Sequence, residues 1–233
     1  MNSIKILEVT TRDELDAWIG LYQKIFYDPY DIMTPDEICE EFSLEDSNMK
    51  FFLITENNKN IGIRCLVIGK SFAYAPYGGL IASRQGNGIF AHVIKEGDKY
   101  LKSLGIHILF ADAENPNKSG DLKKICKRRI NFLKKVGYIF VDDSITYLRP
   151  ATSDPMKIQD YLLFGFKFIT KQNKFSHLLQ NNTITKEDYR RLYLLLMNLE
   201  YDMAEEELKK YPAINEFLRK LQEFPKEKIQ LSK

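Results

Sequence analysis

The chain places three closely spaced strand-like runs before a glycine loop, and it follows the loop with a helix-like run and another strand-like run. The three runs, KFFLIT, IGIRCLVI and FAYAPYGGLIA, are joined by the short, turn-rich segments ENNKN and GKS. Connections this short allow only an antiparallel meander. The loop, SRQGNGIF, then opens a helical pattern that ends at Gly105, and the apolar run IHILFADA comes next. Because strand, helix and strand in this order form a parallel crossover, the sequence predicts a mixed sheet of the α/β class.

Helices and further strands flank this segment on both sides. The runs TRDE and TPDE each predict a capping box, and so a helix, after the short N-terminal strand IKILEV. The first of these helices is expected to end near Asp28-Pro29. Beyond the crossover, apolar spacing predicts a helix over residues 122–136 and strands over residues 138–141, 145–148 and 160–169.

The composition changes near residue 171, and the pattern of the remaining residues is typical of helices. Thr185 caps one helical pattern, Pro212 opens another, and a charged tail ends the chain. We therefore predict a core over residues 1–170 and a helical extension over residues 171–233. The run LYLLLM in the extension is apolar nearly all round, so it either covers a substrate groove or forms the surface of a homodimer.

Charge and cysteine content argue against several classes of protein. Lys and Arg total 34 of the 233 residues against 32 Asp and Glu, and a net charge of +2 gives no electrostatic case for nucleic acid. The three cysteines are far apart and have no metal-ligand spacing to the histidines, so we expect reduced thiols and no metal site. Neither a signal peptide nor a membrane span is apparent, which predicts a soluble cytoplasmic protein that does not bind membranes.

The glycine loop fits two phosphate-binding patterns. Gly86 to Ala91 reads as the G-x-G-x-x-G/A of a dinucleotide site, and Gln85 to Phe90 nearly fills the Q/R-x-x-G-x-G/A loop of coenzyme A-dependent acetyltransferases. Asp112, at the end of the next strand, supports the first pattern as a ribose-binding acid. A dinucleotide domain, however, begins with its glycine turn and continues with further crossovers, whereas here a meander comes first and no crossover follows. The order of elements therefore argues against NAD.

Over about residues 4–169, the same order of elements resembles the GNAT superfamily of N-acetyltransferases. Gly88 and Gly105 stand where that family has its loop glycine and the glycine after the next helix, and Gln85 stands at its arginine or glutamine position. Phe90 replaces the final glycine or alanine of the loop. The resemblance implies a GNAT fold and an N-acetyltransferase that moves an acetyl group from acetyl-CoA to an amine of a small molecule or peptide.

The resemblance also implies a coenzyme A site. In the family, a bulged strand parts from its neighbour, its backbone amides hold the pantetheine arm, and the glycine loop binds the pyrophosphate. The run PYGGLI, residues 76–81, fits the parted strand, because proline removes a ladder donor and paired glycines favour a bulge. The implied cofactor-binding residues are Leu80, Ile81, Gln85, Gly86, Asn87, Gly88, Ile89 and Phe90, with Asn115 or Asn117 as the asparagine of the family's next strand.

Acetyl transfer needs a base for the acceptor amine and an acid for the leaving thiolate. The family's usual tyrosine acid falls on Leu133, and the parted strand has no carboxylate. Candidate acids are Tyr74, Tyr77 and Tyr138, each of which is also typical of an aromatic packed in a sheet, and candidate bases are Asp112 and Glu114. Two alternatives stay open: a GNAT-fold module that binds coenzyme A without turnover, and an NAD-dependent oxidoreductase.

Overall fold

A mixed sheet runs through the centre of the protein in the computed structural model, which describes residues 3–26, 33–143, 145, 147–150, 157–170, 182–225 and 228–232. The strands are β1 (Ile4–Glu8), β2 (Met49–Glu56), β3 (Lys59–Ile68), β4 (Phe72–Tyr74), β5 (Gly78–Leu80), β6 (Ile108–Glu114), β7 (Ile139–Val141), β8 (Arg149–Pro150), β9 (Ile158–Gln159), β10 (Leu162–Phe168), β11 (Thr183–Thr185) and β12 (Lys228–Ser232). Across the sheet the order is β1-β2-β3-β4-β6-β10-β7-β12-β11, while β5 pairs with β3, and β8 pairs with β9 apart from it.

Seven helices are assigned in the described residues. They are α1 (Arg12–Ile25), α2 (Pro35–Ser43), α3 (Ile89–Ser103), α4 (Lys123–Lys135), α5 (Lys186–Tyr201), α6 (Glu205–Leu208) and α7 (Pro212–Glu223). α1, α2 and α5 contact one face of the sheet, because the alternating side chains of β3 turn Ile63, Cys65 and Val67 toward them. The opposite face, with Leu66 and Leu109, packs against α3 and α4.

Both predicted capping boxes are present. Thr11 Oγ1 accepts from the Glu14 amide at 3.3 Å, and the Glu14 carboxylate accepts from the Thr11 amide at 3.0 Å. Thr34 and Glu37 make the same pair of bonds. α1 ends at Ile25, before the predicted Asp28-Pro29 stop, which lies outside the described residues.

The third strand of the meander is divided, as the proline and paired glycines predict. β4 pairs on one side with β3 and on the other with β6, where Tyr74 lies opposite Phe110 in a parallel register. The Ala75 amide still donates to the Phe110 carbonyl at 3.0 Å, but β5 pairs with β3 alone. The sheet is therefore parted between β5 and residues 111–114 of β6, and we call this gap the opening.

The segment beyond residue 181 differs from the predicted helical extension. It contains α5, α6 and α7, but β12 extends the main sheet by pairing with β7, and β11 pairs with β12. Ile229 and Leu231 are buried while Lys228 and Gln230 are exposed, so the expected charged tail is an amphipathic strand. A pattern of five residues is too short to predict a strand from the sequence. The strand forms because the edge of β7 is available for pairing. The boundary between residues 170 and 171 stays a prediction.

The apolar run LYLLLM is covered within the chain. Leu192, Tyr193, Leu196 and Met197 on α5 are fully buried, in the same hydrophobic cluster as Phe110 and Phe164. Intramolecular burial thus accounts for the apolar face that the sequence left open between a groove cover and a dimer surface. The homodimer stays a prediction.

The predicted strand over residues 145–148 is wrong for the described part of that range. Residues 145, 147 and 148 are outside any ladder, and the next strand, β8, begins at Arg149. The apolar pattern there reflects burial, since the Tyr147 ring packs against Phe164 at 5.5 Å and Tyr193 at 6.1 Å. A short apolar run is compatible with either origin.

Among the helices that the structure describes, none is long and apolar enough to cross a bilayer. The cysteines Cys39, Cys65 and Cys126 are all free thiols.

Candidate functional site

The glycine loop ends in an uncapped helix N-terminus. Gly86 and Gly88 have φ of +85° and +73°, in the left-handed region that disfavours any side chain. Gly88 is the N-cap of α3, it provides no side-chain cap, and the first turn of the helix carries no acidic residue. The amides of the first turn have no partner within the helix, so together with the helix dipole they favour binding of an anion.

Two side chains tie this loop to the sheet. The Gln85 Nε2 donates to the Leu80 carbonyl at 3.0 Å, and Arg84 Nε pairs at 3.0 Å with the buried Glu56 of β2. The loop is therefore held directly beyond the end of β5. Gln85, predicted to face a pyrophosphate, uses its amide to hold the loop in this structure.

The opening exposes backbone groups of β5. The Tyr77 carbonyl accepts from the Cys65 amide at 2.8 Å, and the Ile81 amide donates to the Ile61 carbonyl at 2.9 Å, so both residues bond toward β3. Because backbone groups alternate along a strand, those of Gly78 and the amide of Leu80 point into the opening, whereas the Leu80 carbonyl on that side already accepts from Gln85 Nε2. An extended ligand can add there as a further strand, bonded by its own amides. Of the predicted pair, Leu80 faces the opening, whereas the Ile81 amide is bonded to β3.

A buried polar cluster lies where the strands part. Asp112 Oδ1 accepts from the Tyr74 hydroxyl at 2.9 Å, and Asp112 Oδ2 accepts from Arg149 Nη1 at 2.6 Å and from the Tyr147 hydroxyl at 3.2 Å. Arg149 Nη2 also pairs with Glu200 of α5 at 3.1 Å. The Arg149, Asp112 and Glu200 side chains are only 3%, 7% and 9% exposed. We call these five residues the vertex cluster, which holds one cation between two carboxylates.

Burial sets the protonation of the vertex tyrosines. It raises the pKa of Tyr74 well above its ordinary value, with Arg149 opposing the rise and Asp112 adding to it. Burial likewise raises the pKa of Tyr147, and Asp112 adds to that rise. Both hydroxyls therefore stay protonated and donate to Asp112.

These shifts predict that stability falls in alkali. The folded state holds the Tyr74 proton more tightly than the unfolded chain, so its stabilisation is complete below the unfolded pKa of about 10 and is lost as pH rises above it. Each such tyrosine adds a slope of about 1.4 kcal/mol per pH unit to the unfolding free energy. We expect Tyr74→Phe to remove one such slope above about pH 10, measured by urea unfolding at a series of pH values. An unchanged slope would contradict the assigned shift.

The structure brings two of the predicted catalytic residues together and keeps the others apart. Tyr74 and Asp112 share a hydrogen bond. Tyr77 instead packs edge-on against Tyr22 at 5.0 Å, under α1. Tyr138 is buried on the opposite face, beneath α3 and α4. Glu114, at the end of β6, forms an ion pair with Arg129 of α4. Their catalytic roles stay predictions.

The two predicted asparagines organise the turn between β6 and α4. Asn115 Oδ1 accepts from the Asn117 amide at 2.9 Å, and Asn117 Nδ2 donates to Asp143 at 2.7 Å. The Asn115 amide donates to the Tyr161 carbonyl at 2.7 Å. These bonds fix the loop at the far side of the opening, and a role in cofactor binding stays a prediction for both residues.

Sequence reasoning missed Tyr147, Arg149 and Glu200. Glu200 continues the buried spacing of α5, in phase with Tyr189, Tyr193 and Leu196. A charged residue that follows the spacing of an apolar helix face indicates a buried charge, and so an ion pair, and the sequence alone contained this indication. Its partner Arg149 has no comparable pattern around it, because only the tertiary structure brings that short segment beneath α5.

In the described ranges, no three His, Cys, Asp or Glu side chains come together in a way that could hold a metal ion.

Comparison with known proteins identifies the fold. No protein-family model matches the chain, and no curated protein matches it in sequence. Among solved structures, a protein described as an acetyltransferase of the GNAT family from Bacteroides thetaiotaomicron is similar at 15% identity and a TM-score of 0.64, covering 85% of this chain and 99% of that one. The ribosomal-protein-S18-alanine N-acetyltransferase from Escherichia coli is similar at 15% identity and a TM-score of 0.51, covering 75% of this chain and 97% of that one.

A third similar structure was solved with a ligand. The spermidine N-acetyltransferase from Vibrio cholerae, in complex with coenzyme A and spermine, has 16% identity and a TM-score of 0.52, and the match covers 71% of this chain and 95% of that one. At such identities the likeness is one of fold. It confirms the prediction that this chain has the GNAT fold.

Proposed function

We propose that this protein is an N-acetyltransferase that moves an acetyl group from acetyl-CoA to an amine. The observation that carries the proposal is the junction of two binding features: the opening beside β5 and the uncapped start of α3. Gln85 bonds to Leu80 and so holds the two features side by side. The opening suits an extended arm that contains amides, and the start of α3 suits an anion. Coenzyme A joins these two groups, because its pantetheine arm is linked directly to a pyrophosphate.

Each part of the site has a proposed role. The amides from Gly86 to Phe90 bind the pyrophosphate, and the backbone groups of Gly78 with the Leu80 amide bind the amide-containing arm. When bound, acetyl-CoA supplies the activated acetyl group. The Tyr74 hydroxyl, protonated and oriented by Asp112, is the proposed proton donor for the leaving sulfur. Asp112 in turn is held by Arg149.

The similar structures support the proposal and leave the acceptor open. The Escherichia coli enzyme is named for a protein substrate, and the Vibrio cholerae enzyme is named for the polyamine spermidine. The structure of the second enzyme also holds coenzyme A. Because this chain has the same fold, we propose that its acceptor is an amine carried by a small molecule or a peptide.

A second candidate is a GNAT-fold module that binds coenzyme A without turnover. Leu133 favours it, since this position of α4 lacks the hydroxyl of a tyrosine. The near-complete burial of the vertex cluster points the same way.

Two measurements test the proposal. Coenzyme A in about a hundredfold excess over its Kd should stabilise the fold by about 2.7 kcal/mol and raise the melting temperature, whereas NAD should leave it unchanged. Thiol release from acetyl-CoA with a panel of amines then separates an enzyme from a silent module. A melting curve that coenzyme A does not shift would exclude both.

A further inference from the structure

We propose that Phe90 and Phe132 form an aromatic gate over the opening, and that an acyl-CoA arm enters only when the two rings part. The proposal rests on the proposed function, and it assigns a role in ligand selection to two side chains that the backbone binding features do not use.

The position of the Phe90 ring is the first observation. A Cβ on Gly78 would lie 2.9 Å from the Phe90 Cζ, so the ring lies directly over β5 at one of the residues that face the opening. Phe90 is the last residue of the glycine loop and belongs to the first turn of α3. Its ring thus covers β5 at Gly78, while its backbone amide belongs to the uncapped start of α3.

The partner of this ring comes from the other side of the opening. Phe132 lies on α4, which contacts β6, and its ring centre is 6.1 Å from that of Phe90 with the planes tilted by 40°. The pair therefore bridges α3 and α4 on one face of the parted strands. Both side chains are only half-buried: Phe90 packs against the edge of the buried cluster that contains Leu80 and Val93, and neither ring is a fully buried member of the core.

The contact has a calculable effect on binding. A ligand that binds only the parted conformation has an apparent Kd equal to its intrinsic Kd divided by the fraction of molecules in which the rings are apart. Tilted ring pairs are stabilising by a modest amount, which makes the parted state a minority. Removing one ring should therefore tighten binding of coenzyme A by about two- to tenfold, equivalent to about 0.4–1.4 kcal/mol.

The gate acts on the arm and leaves the pyrophosphate site open. ADP carries a pyrophosphate without the arm, so it can reach the amides of α3 without parting the rings. We therefore expect ADP to bind with the same affinity whether or not the pair is present. This difference separates a gate from a change in the shape of the glycine loop.

Titration calorimetry of coenzyme A and ADP on the full chain tests the gate. The expected result is a two- to tenfold lower Kd for coenzyme A in Phe90→Ala and in Phe132→Ala, with no further gain in the double variant, because either change alone opens the gate. Phe42→Ala is the matched control, since Phe42 on α2 is also half-buried and contacts Phe51 at 6.4 Å on the opposite face. It should leave both affinities unchanged.

Each other outcome has a definite meaning. Coenzyme A affinity that is unchanged or weaker in Phe90→Ala, or an equal gain for ADP, would overturn the gate while leaving the proposed function intact. Additive gains in the double variant would also overturn it, since the rings would then act separately. If neither the natural chain nor any variant binds coenzyme A, the proposed function fails as well.

Discussion

Gly88→Glu is expected to abolish the stabilisation by coenzyme A. The substitution places a carboxylate on the N-cap of α3, where the amides would hold the pyrophosphate, and two anions cannot share that site. The loss should equal the whole stabilisation, about 2.7 kcal/mol at a hundredfold excess over the Kd. In a chain of this length that corresponds to a shift of about 5–11 °C in Tm, measured by thermal melting with and without coenzyme A.

Two variants separate the charge from the strain. Gly88→Ala adds strain at the same positive φ without a charge, and nothing within 4 Å would meet its Cβ, so most of the coenzyme A shift should remain. Gly105→Glu adds the same side chain at a positive φ of +76° beyond the other end of α3, and it should leave the shift unchanged. If Gly88→Glu keeps its response to coenzyme A, the pyrophosphate does not bind at this loop.

Arg149→Met is expected to lower the free energy of unfolding by about 3–5 kcal/mol, the usual cost of removing one partner from a buried ion pair. Methionine fills much of the space but leaves Asp112 and Glu200 buried without their shared cation. The corresponding fall in Tm is about 6–20 °C, measured by urea and thermal unfolding.

The charge explanation has its own controls. Adding Asp112→Asn to the variant removes one of the stranded carboxylates and should restore part of the stability. Arg219→Met removes two exposed ion pairs on α7, with Glu216 and Glu223, and should change stability little. A loss in Arg149→Met no larger than in Arg219→Met would show that the vertex cluster is not held together by charge.

Local patterns predicted most of the fold because the decisive interactions there are local. The capping boxes at Thr11 and Thr34 need only four consecutive residues, and the glycine loop needs only two positive φ angles at its glycines. The divided strand followed from Pro76 and its neighbouring glycines, which cannot continue an ordinary ladder. The prediction of a strand was wrong at the described residues 145, 147 and 148, because burial under α5 produces the same apolar spacing as burial within a sheet.

The candidate site divides in the same way. The proposed anion-binding end, from Gly86 to Phe90, has a shape that the sequence could predict, because the backbone of one continuous segment forms it. The side chains at the vertex could not, since Tyr74, Arg149 and Glu200 come from distant parts of the chain. Of three candidate tyrosine acids, only packing distinguishes Tyr74, beside Asp112, from Tyr77 and Tyr138, which lie in separate hydrophobic clusters.

By itself, the sequence determined the order of helices and strands from β1 to β7, the parting of the third meander strand and the place of the glycine loop. Each of these depends on short-range backbone preferences and hydrophobic periodicity. Tertiary structure alone decided that β12 completes the sheet, that Arg149 joins two buried carboxylates, and that Phe90 meets Phe132 across the opening. Those contacts join residues far apart in the chain, and their energy depends on burial and distance, which no local pattern specifies.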